Sequence, residues 1–290
     1  MINRNTVFIL LQKLVPQHGL SRVVGKLATS RFAPLKNRLI AKFIKHFRVN
    51  MNESLIEDYR QFEHFNAFFT RALKPDARPI CQGDKIACPA DGNISAFGAI
   101  AADTLLQAKH HKYTLSALLG GNQTMAKTYL NGRFMTVYLS PKDYHRVHMP
   151  LDGVLQSTTY VPGTLFSVNQ TTTESIPDLF ARNERLICEF ESPQGPLVLI
   201  LVGAMIVAGI ETVWGGTHAP FKPQPQLIYQ ANPEAVSLKK GDEMGRFKLG
   251  STVIMLFPEN RIDWNPDLSH GMLTKMGQPI GCLANPEVTS

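Results

Sequence analysis

Three separated stretches of this chain hold residues that could share a proton relay. "CPADGNISAFG" places Asp91 between small residues and a glycine, "YLSPKDYHRVHMPLDG" carries His145 and His148, and "GRFKLGSTVIMLFPEN" carries Ser251 directly after Gly250. Each has an ordinary explanation. An Asp before Gly is a turn residue. Two His spaced i, i+3 can share a face of a helical turn and hold a metal, but no third ligand lies at an obvious spacing, so no metal is expected. A Ser in an apolar strand is unremarkable. Taken together they suggest an Asp that orients a His, and a His that takes the Ser hydroxyl proton. No G-x-S-x-G elbow is present, so an external ester is a poor target for this Ser. Ser251 sits inside a strand-like run, Phe247 to Phe257, and is well placed to attack the carbonyl just before it, that of Gly250. Glycine there weakens a strand and marks close backbone approach.

Regular short strands must position these groups. From Ile86 onward, apolar runs alternate with Gly, Pro and Asn turns: "GNISAFGAI", "GRFMTVYLS", "GVLQSTTYV", "RLICEFES", "PLVLILVGAMIVAGIETVW" and "STVIMLF". The pattern predicts a β-rich body. "YTLSALLGG" and "IPDLFARNER" read as short helices, and "HAPFKPQPQLIYQANPEA" as a Pro-rich loop. Upstream, Asn52 is expected to cap a helix running through "ESLIEDYRQFEHFNAFFTRAL" and stopping at "KPDARPI". The fold class is therefore α+β.

Composition sets further bounds. The chain has 290 residues, 44% hydrophobic and 18% charged, so it is globular. No run of about 18 apolar residues occurs, and a transmembrane helix is not expected. A secretory signal is not expected either, since "TVFILLQKLV" is broken by Lys13 and lacks a cleavage site. Cys81, Cys88, Cys188 and Cys282 have no CxxC spacing and read as free thiols of a reducing compartment. The net charge is +7, yet residues 1–50 hold ten Lys and Arg and no acid, leaving the remainder at −3. Within that segment "PLKNRLIAKFIKHFR" has helical period. Phe43 and Phe47 fall on an apolar face, with Arg38, Lys42, Lys45 and Arg48 on a basic one. Such a helix suits an anionic membrane surface, or packs on its own core or a second subunit; the lack of acid favours the membrane. A transit peptide would contain more Ser, and no nucleic-acid module follows, so nucleic acid is not expected as a partner. Residues 1–50 thus form a membrane-association segment and 51–290 a catalytic domain.

The ordered set "FFTRALKPDARPI", "CPADGNISAFG", "LSPKDYHRVHMPLDG", "YVPGTLFSVN", "LFARNER", "GAMIVAGIETVWGG", "KKGDEMGRFKLGSTVIMLF" and "MGQPIG" closely resembles the short bacterial-type phosphatidylserine decarboxylase proenzymes. The match runs along nearly the whole chain. Departures are "QAKHH", residues 222–234 and the turns around "NRIDWNPDLSH". The resemblance implies that the Gly250–Ser251 bond cuts itself. Ser251 Oγ attacks the Gly250 carbonyl, with His148 as base held by Asp91. Elimination and loss of ammonia then leave a pyruvoyl group on a 251–290 α chain beside a 1–250 β chain, as one such pair or a dimer of pairs. That group stands in for pyridoxal phosphate: its ketone forms a Schiff base with the serine amine of phosphatidylserine, and its amide accepts electrons as CO₂ leaves. His145 is implied in substrate contact and proton handling. The resemblance also implies a lipoyl/biotinyl-type β-sandwich, with "KKGDEMGRF" as a hairpin; with no export signal seen, a peripheral place on the cytoplasmic face of the cell membrane is expected. Two alternatives stand beside it: a pyruvoyl decarboxylase of a soluble amino acid, and an inactive membrane-binding homologue.

Overall fold

The strand Thr252–Phe257 occupies the middle of a nine-stranded antiparallel sheet. One neighbour is Gly195–Val202, which pairs through Arg185–Ser192 to Gly153–Val161. The other is Arg133–Tyr138, which pairs to Gly92–Ala99 and on to Leu273–Thr274. The computed structural model describes residues 9, 12, 15–108, 111–205, 209–219, 227–230, 236–250 and 252–284. Ser251, and Lys109 and His110 of "QAKHH", lie outside the described residues. The chain is α+β and β-rich, with short helices and several sheets.

Both faces of the central strands are buried. Val253, Met255 and Phe257 join one apolar cluster with Met135, Val137 and Leu199; Ile254 and Leu256 join another with Phe134, Val198 and Ile200. That is why "TVIMLF" reads as an unbroken apolar run with no polar alternation. Each such side chain contributes about 1.5–3 kcal/mol by leaving water.

A second, four-stranded sheet runs Gly216–Ala219, Gly209–Thr212, Glu243–Lys248, Arg146–His148. It corrects the reading of Phe247–Phe257 as one strand. The first strand ends at Lys248 in the small sheet and the next begins at Thr252 in the large one. Leu249 and Gly250 leave the first strand toward the second sheet. "KKGDEMGRF" is likewise not a simple hairpin. Ser237–Leu238 pairs with Gly153–Val161, whereas Glu243–Lys248 pairs in the small sheet. Within the Pro-rich stretch, Leu227–Gln230 forms an edge strand on Gly153–Val161, where only one side needs a hydrogen-bonding partner.

The N-terminal part holds two longer helices, α1 (Gln17–Ala28) and α2 (Ala33–Phe47). α1 is tied to the body: the Leu165 amide donates to Gln17 Oε1 at 2.7 Å, and the Ser167 amide to Gln12 Oε1 at 2.9 Å. The expected helix from Asn52 onward is not formed. Ser54 instead bridges to Leu73, and the Leu55 amide donates to the Ala72 carbonyl. Helical geometry survives only at Tyr59–Gln61, capped by Asp58, and Phe65–Phe69, capped by His64. The aromatic period is real, but the chain folds back to gather Phe62, Phe65, Phe68 and Phe69 into a third cluster. Tertiary contact outweighs local helix preference here.

That cluster also corrects the role of Phe43 and Phe47. Ile40 of α2 is fully buried, and the Phe43 ring lies 5.1, 6.0 and 5.8 Å from those of Phe65, Phe68 and Phe69. Phe43 packs on Phe47 at 4.4 Å. The apolar face of α2 therefore covers its own core, the packing alternative, while Arg38, Lys42, Lys45 and Arg48 stay exposed.

Candidate active site

The backbone at Leu249 and Gly250, where the chain leaves the small sheet, is strained. Leu249 has φ 78° and Gly250 φ 77°. Glycine accepts that conformation freely; leucine does not, and a left-handed non-glycine residue costs of order 1–3 kcal/mol. Leu249 is held there by packing against the aromatic cluster.

His145 closes on this point. An ideal Cβ on Gly250 would lie 3.5 Å from His145 Nε2 and 3.9 Å from the Phe69 ring. The Phe69 and His145 rings are 4.0 Å apart. His145 is fully buried, and its Nδ1 lies 2.8 Å from the Asp143 carbonyl. A carbonyl can only accept, so Nδ1 carries the proton and Nε2 presents a lone pair. Nε2 has no partner among the described residues. Burial, opposed by the Asp143 carbonyl, drives its pKa down to about 3. The imidazole is neutral at any physiological pH.

His148 follows in the strand Arg146–His148, where Glu243 is its register partner. The stretch is extended, so the i, i+3 spacing does not place the two rings together on a helical turn. His148 Nδ1 lies 2.8 Å from the Gly241 carbonyl, and Tyr144 Oη 3.0 Å from Nε2. The tautomer is again Nδ1–H, with Nε2 accepting from the phenol. Burial lowers the His148 pKa, against support from the Gly241 carbonyl, Glu243 and Asp91. Burial pushes the Tyr144 phenol up to about 12.

Asp91 lies in the turn leading into Gly92–Ala99. Gly92 is required there, since a Cβ would sit 2.3 Å from the Tyr138 carbonyl oxygen. Arg78 clamps the Asp91 carboxylate: Nε donates to Oδ1 at 2.8 Å and Nη2 to Oδ2 at 2.5 Å, while the Met276 amide donates to Oδ1 at 2.9 Å. Arg78 Nη2 also reaches Glu53 at 2.7 Å. Burial disfavours the Arg78 charge, but Asp91 and Glu53 outweigh it and raise its pKa above the ordinary arginine value. Among the described residues no hydrogen bond joins Asp91 to His148. Asp91 acts on that ring through its charge.

Four neighbours were missed in the sequence: Arg78, which holds Asp91; Tyr144, on His148; Phe69, against His145; and Arg71, whose charge bears on His145. All lie inside quoted motifs, "FFTRALKPDARPI" and "KDYHR", but spacing alone does not say what they touch. A cavity of 560 Å³ lined by Asn93, Ser95, Tyr138 and His270 opens at the same end of the sheet. Tyr138 is the register partner of Thr252.

Residues 65–282 match the family model described as phosphatidylserine decarboxylase, and residues 7–48 match a further model described as PSD. The chain is 51% identical over 284 residues to the phosphatidylserine decarboxylase proenzyme of Alcanivorax borkumensis, covering 97% of this chain and 98% of that protein. It is 52% identical to that of Ectopseudomonas mendocina over 96% and 98%. With that of Pseudomonas aeruginosa it shares 50% identity over 98% of both chains.

Proposed function

This chain belongs to the phosphatidylserine decarboxylase family, and from that premise we propose that it makes its own pyruvoyl group at Gly250–Ser251 and uses it to convert phosphatidylserine to phosphatidylethanolamine. The strained crossing at Leu249 and Gly250, with the bare Nε2 of His145 against it, carries the proposal. Ser251 Oγ attacks the Gly250 carbonyl carbon and loses its proton to a base. The peptide nitrogen takes up a proton as the C–N bond breaks, and an ester joins Gly250 to Ser251. Loss of the Ser251 α-proton expels the Gly250 carboxylate; water then releases ammonia. Strain relieved on breaking the peptide bond favours the products.

His148 is the base in this scheme. Its imidazolium is supported by Asp91 and Glu243, whereas burial opposes protonation of His145 far more strongly. Asp91, fixed by Arg78, acts as the stabilising charge. His145 accepts a hydrogen bond from the nucleophile and later contacts substrate. Its proximity to Gly250 favours a second reading in which His145 itself is the base. The pyruvoyl group supplies a ketone electrophile and an electron sink for the departing CO₂; the chain's residues supply orientation, water exclusion and proton delivery.

The same proposal divides the chain into a 1–50 membrane segment and a 51–290 catalytic domain, cut into a 1–250 β and a 251–290 α chain, with a lipoyl/biotinyl-type sandwich as the fold relative. Among the described residues no helix is long and apolar enough to cross a membrane. Peripheral contact with an anionic cytoplasmic surface rests instead on an exposed apolar stripe, Leu20, Val23 and Leu27 of α1, followed by Phe32 at 67% exposure. The i, i+3, i+7 spacing puts the three α1 residues on one face. Arg22 and Lys26 of α1 and Arg38, Lys42 and Lys45 of α2 are exposed as well, so the apolar contact moves from Phe43 and Phe47 to α1. The deciding experiment is the intact mass of purified protein with a turnover assay. Chains of 250 and 40 residues, active on phosphatidylserine and not on free serine, are expected; a single 290-residue chain without activity would overturn the proposal.

A further inference from the structure

Arg71 is 4% exposed, and among the described residues no carboxylate pairs with it. Its side chain makes one hydrogen bond among the described residues, Nη2 to the Lys142 carbonyl at 3.2 Å; Nε is buried without a partner. Its guanidinium lies over the Phe68 ring at 5.6 Å. A buried cation is strongly disfavoured unless paired. Burial lowers its pKa, and Asp91, Glu53 and Asp143 offset that only from a distance, with Arg78 opposing them.

Arg71 lines a cleft of 410 Å³ together with Arg48, Arg78, Lys142, Asp91 and Tyr144. The acids of the cleft are already engaged. Asp91 and Glu53 hold Arg78, Glu53 also holds Lys275, and Asp143 accepts from the Ser140 amide and hydroxyl at 2.7 Å. Arg71, Arg48 and Lys142 have no carboxylate partner among the described residues. The cleft lining therefore sets five cations against three carboxylates, a net positive charge of two, with Arg71 deeply buried and paired with none of them among the described residues. It adjoins the reacting point: Arg71 follows Phe69 by two residues, and Phe69 touches both His145 and the Gly250 position.

We propose that this cleft is an anion site anchored by Arg71, and that its occupant is the phosphodiester of the substrate. The inference rests on the function proposed above. The substrate has two anionic groups. A cation on the carboxylate would stabilise the charge that must vanish as CO₂ leaves, and so oppose the reaction. The phosphodiester keeps its charge throughout and is separated from the serine α-carbon only by Cβ and an ester oxygen. A guanidinium fork matches phosphate oxygens bidentately. Binding of this kind is equal in ground and transition states, so its loss appears in KM and not in kcat.

The test uses processed enzyme and two readouts. Arg71→Gln is expected to mature normally, to raise KM for short-chain phosphatidylserine about ten- to a hundredfold with kcat within about threefold, and to lose calorimetric binding of glycerophosphoethanolamine in proportion. Arg71→Lys should recover part of both. Turnover of a phosphate-free serine ester should be unaffected. Lys142→Gln, at an exposed position, should weaken binding several-fold, keeping the test valid should Arg71→Gln fail to fold. A fall in kcat at unchanged KM, equal loss on the phosphate-free ester, or binding of inorganic phosphate but not glycerophosphoethanolamine would overturn the assignment. Wild-type protein that binds the headgroup without decarboxylating the lipid would instead count against the proposed function and leave the anion site standing.

Discussion

His145 Nε2 lies 3.5 Å from where a Cβ on Gly250 would sit, as a lone pair with no partner among the described residues. The other His of the motif, His148, has both ring nitrogens engaged. One ring is the nearer to Gly250 and the other is the better proton acceptor. A relay can use both, the near ring to orient the hydroxyl and the supported ring to take its proton.

The division of labour is testable by mutation. His148→Ala should slow maturation by about 10²–10⁴-fold, the usual worth of a positioned base. His145→Ala should mature and then decarboxylate slowly. Time courses of chain cleavage on gels would show which holds. The reverse pattern would make His145 the base.

Ser251→Ala should leave one 290-residue chain with no activity, because in the proposed scheme nucleophile and pyruvoyl precursor are the same residue. Gly250→Ala tests the crossing itself. The new Cβ meets nothing closer than 3.5 Å, so the cost is the left-handed backbone, about 1–2 kcal/mol. Expected is a folded protein with slowed cleavage, read from melting temperature and mass together.

Burial of neutral His145 makes stability depend on acid. Its pKa is about 3 folded and about 6.5 unfolded, so between those values the unfolded chain binds the proton and the folded one does not. Stability is complete above about pH 6.5 and falls as pH drops toward 3, by roughly 2 kcal/mol at pH 5. Urea midpoints of wild type and His145→Gln at pH 7 and 5 should converge as pH falls. Parallel loss in both would remove His145 as the cause.

Arg78→Gln removes the cation from a buried carboxylate and should destabilise by about 3–5 kcal/mol. Adding Asp91→Asn should restore part of that stability without restoring maturation. A double-mutant cycle in urea measures the coupling.

At the membrane, Leu20→Gln with Val23→Gln and Leu27→Gln should weaken vesicle binding at high salt. Charge reversal of Arg38, Lys42 and Lys45 should weaken it mainly at low salt, by about 1 kcal/mol per residue in contact. Sedimentation with anionic vesicles separates the two. Equal binding by both variants and wild type would leave α1 and α2 as packing elements alone.

The sequence by itself determined most of the strands and pointed to Gly250–Ser251 as the bond proposed to react. Period-2 texture and turn residues locate strands because strand geometry is local, and "LGST" with Asp91 and the His pair names chemistry through residue type. Local pattern could not tell Phe43 and Phe47 facing a membrane from the same rings facing Phe65 and Phe69, since both are apolar surroundings. It could not show that the chain changes sheets between Lys248 and Thr252, because strands on either side of such a change read alike. Nor could it assign Arg78 to Asp91 and Tyr144 to His148, or leave Arg71 without a carboxylate partner among the described residues. Those facts depend on distances between segments far apart in the chain, which only the packed tertiary structure sets.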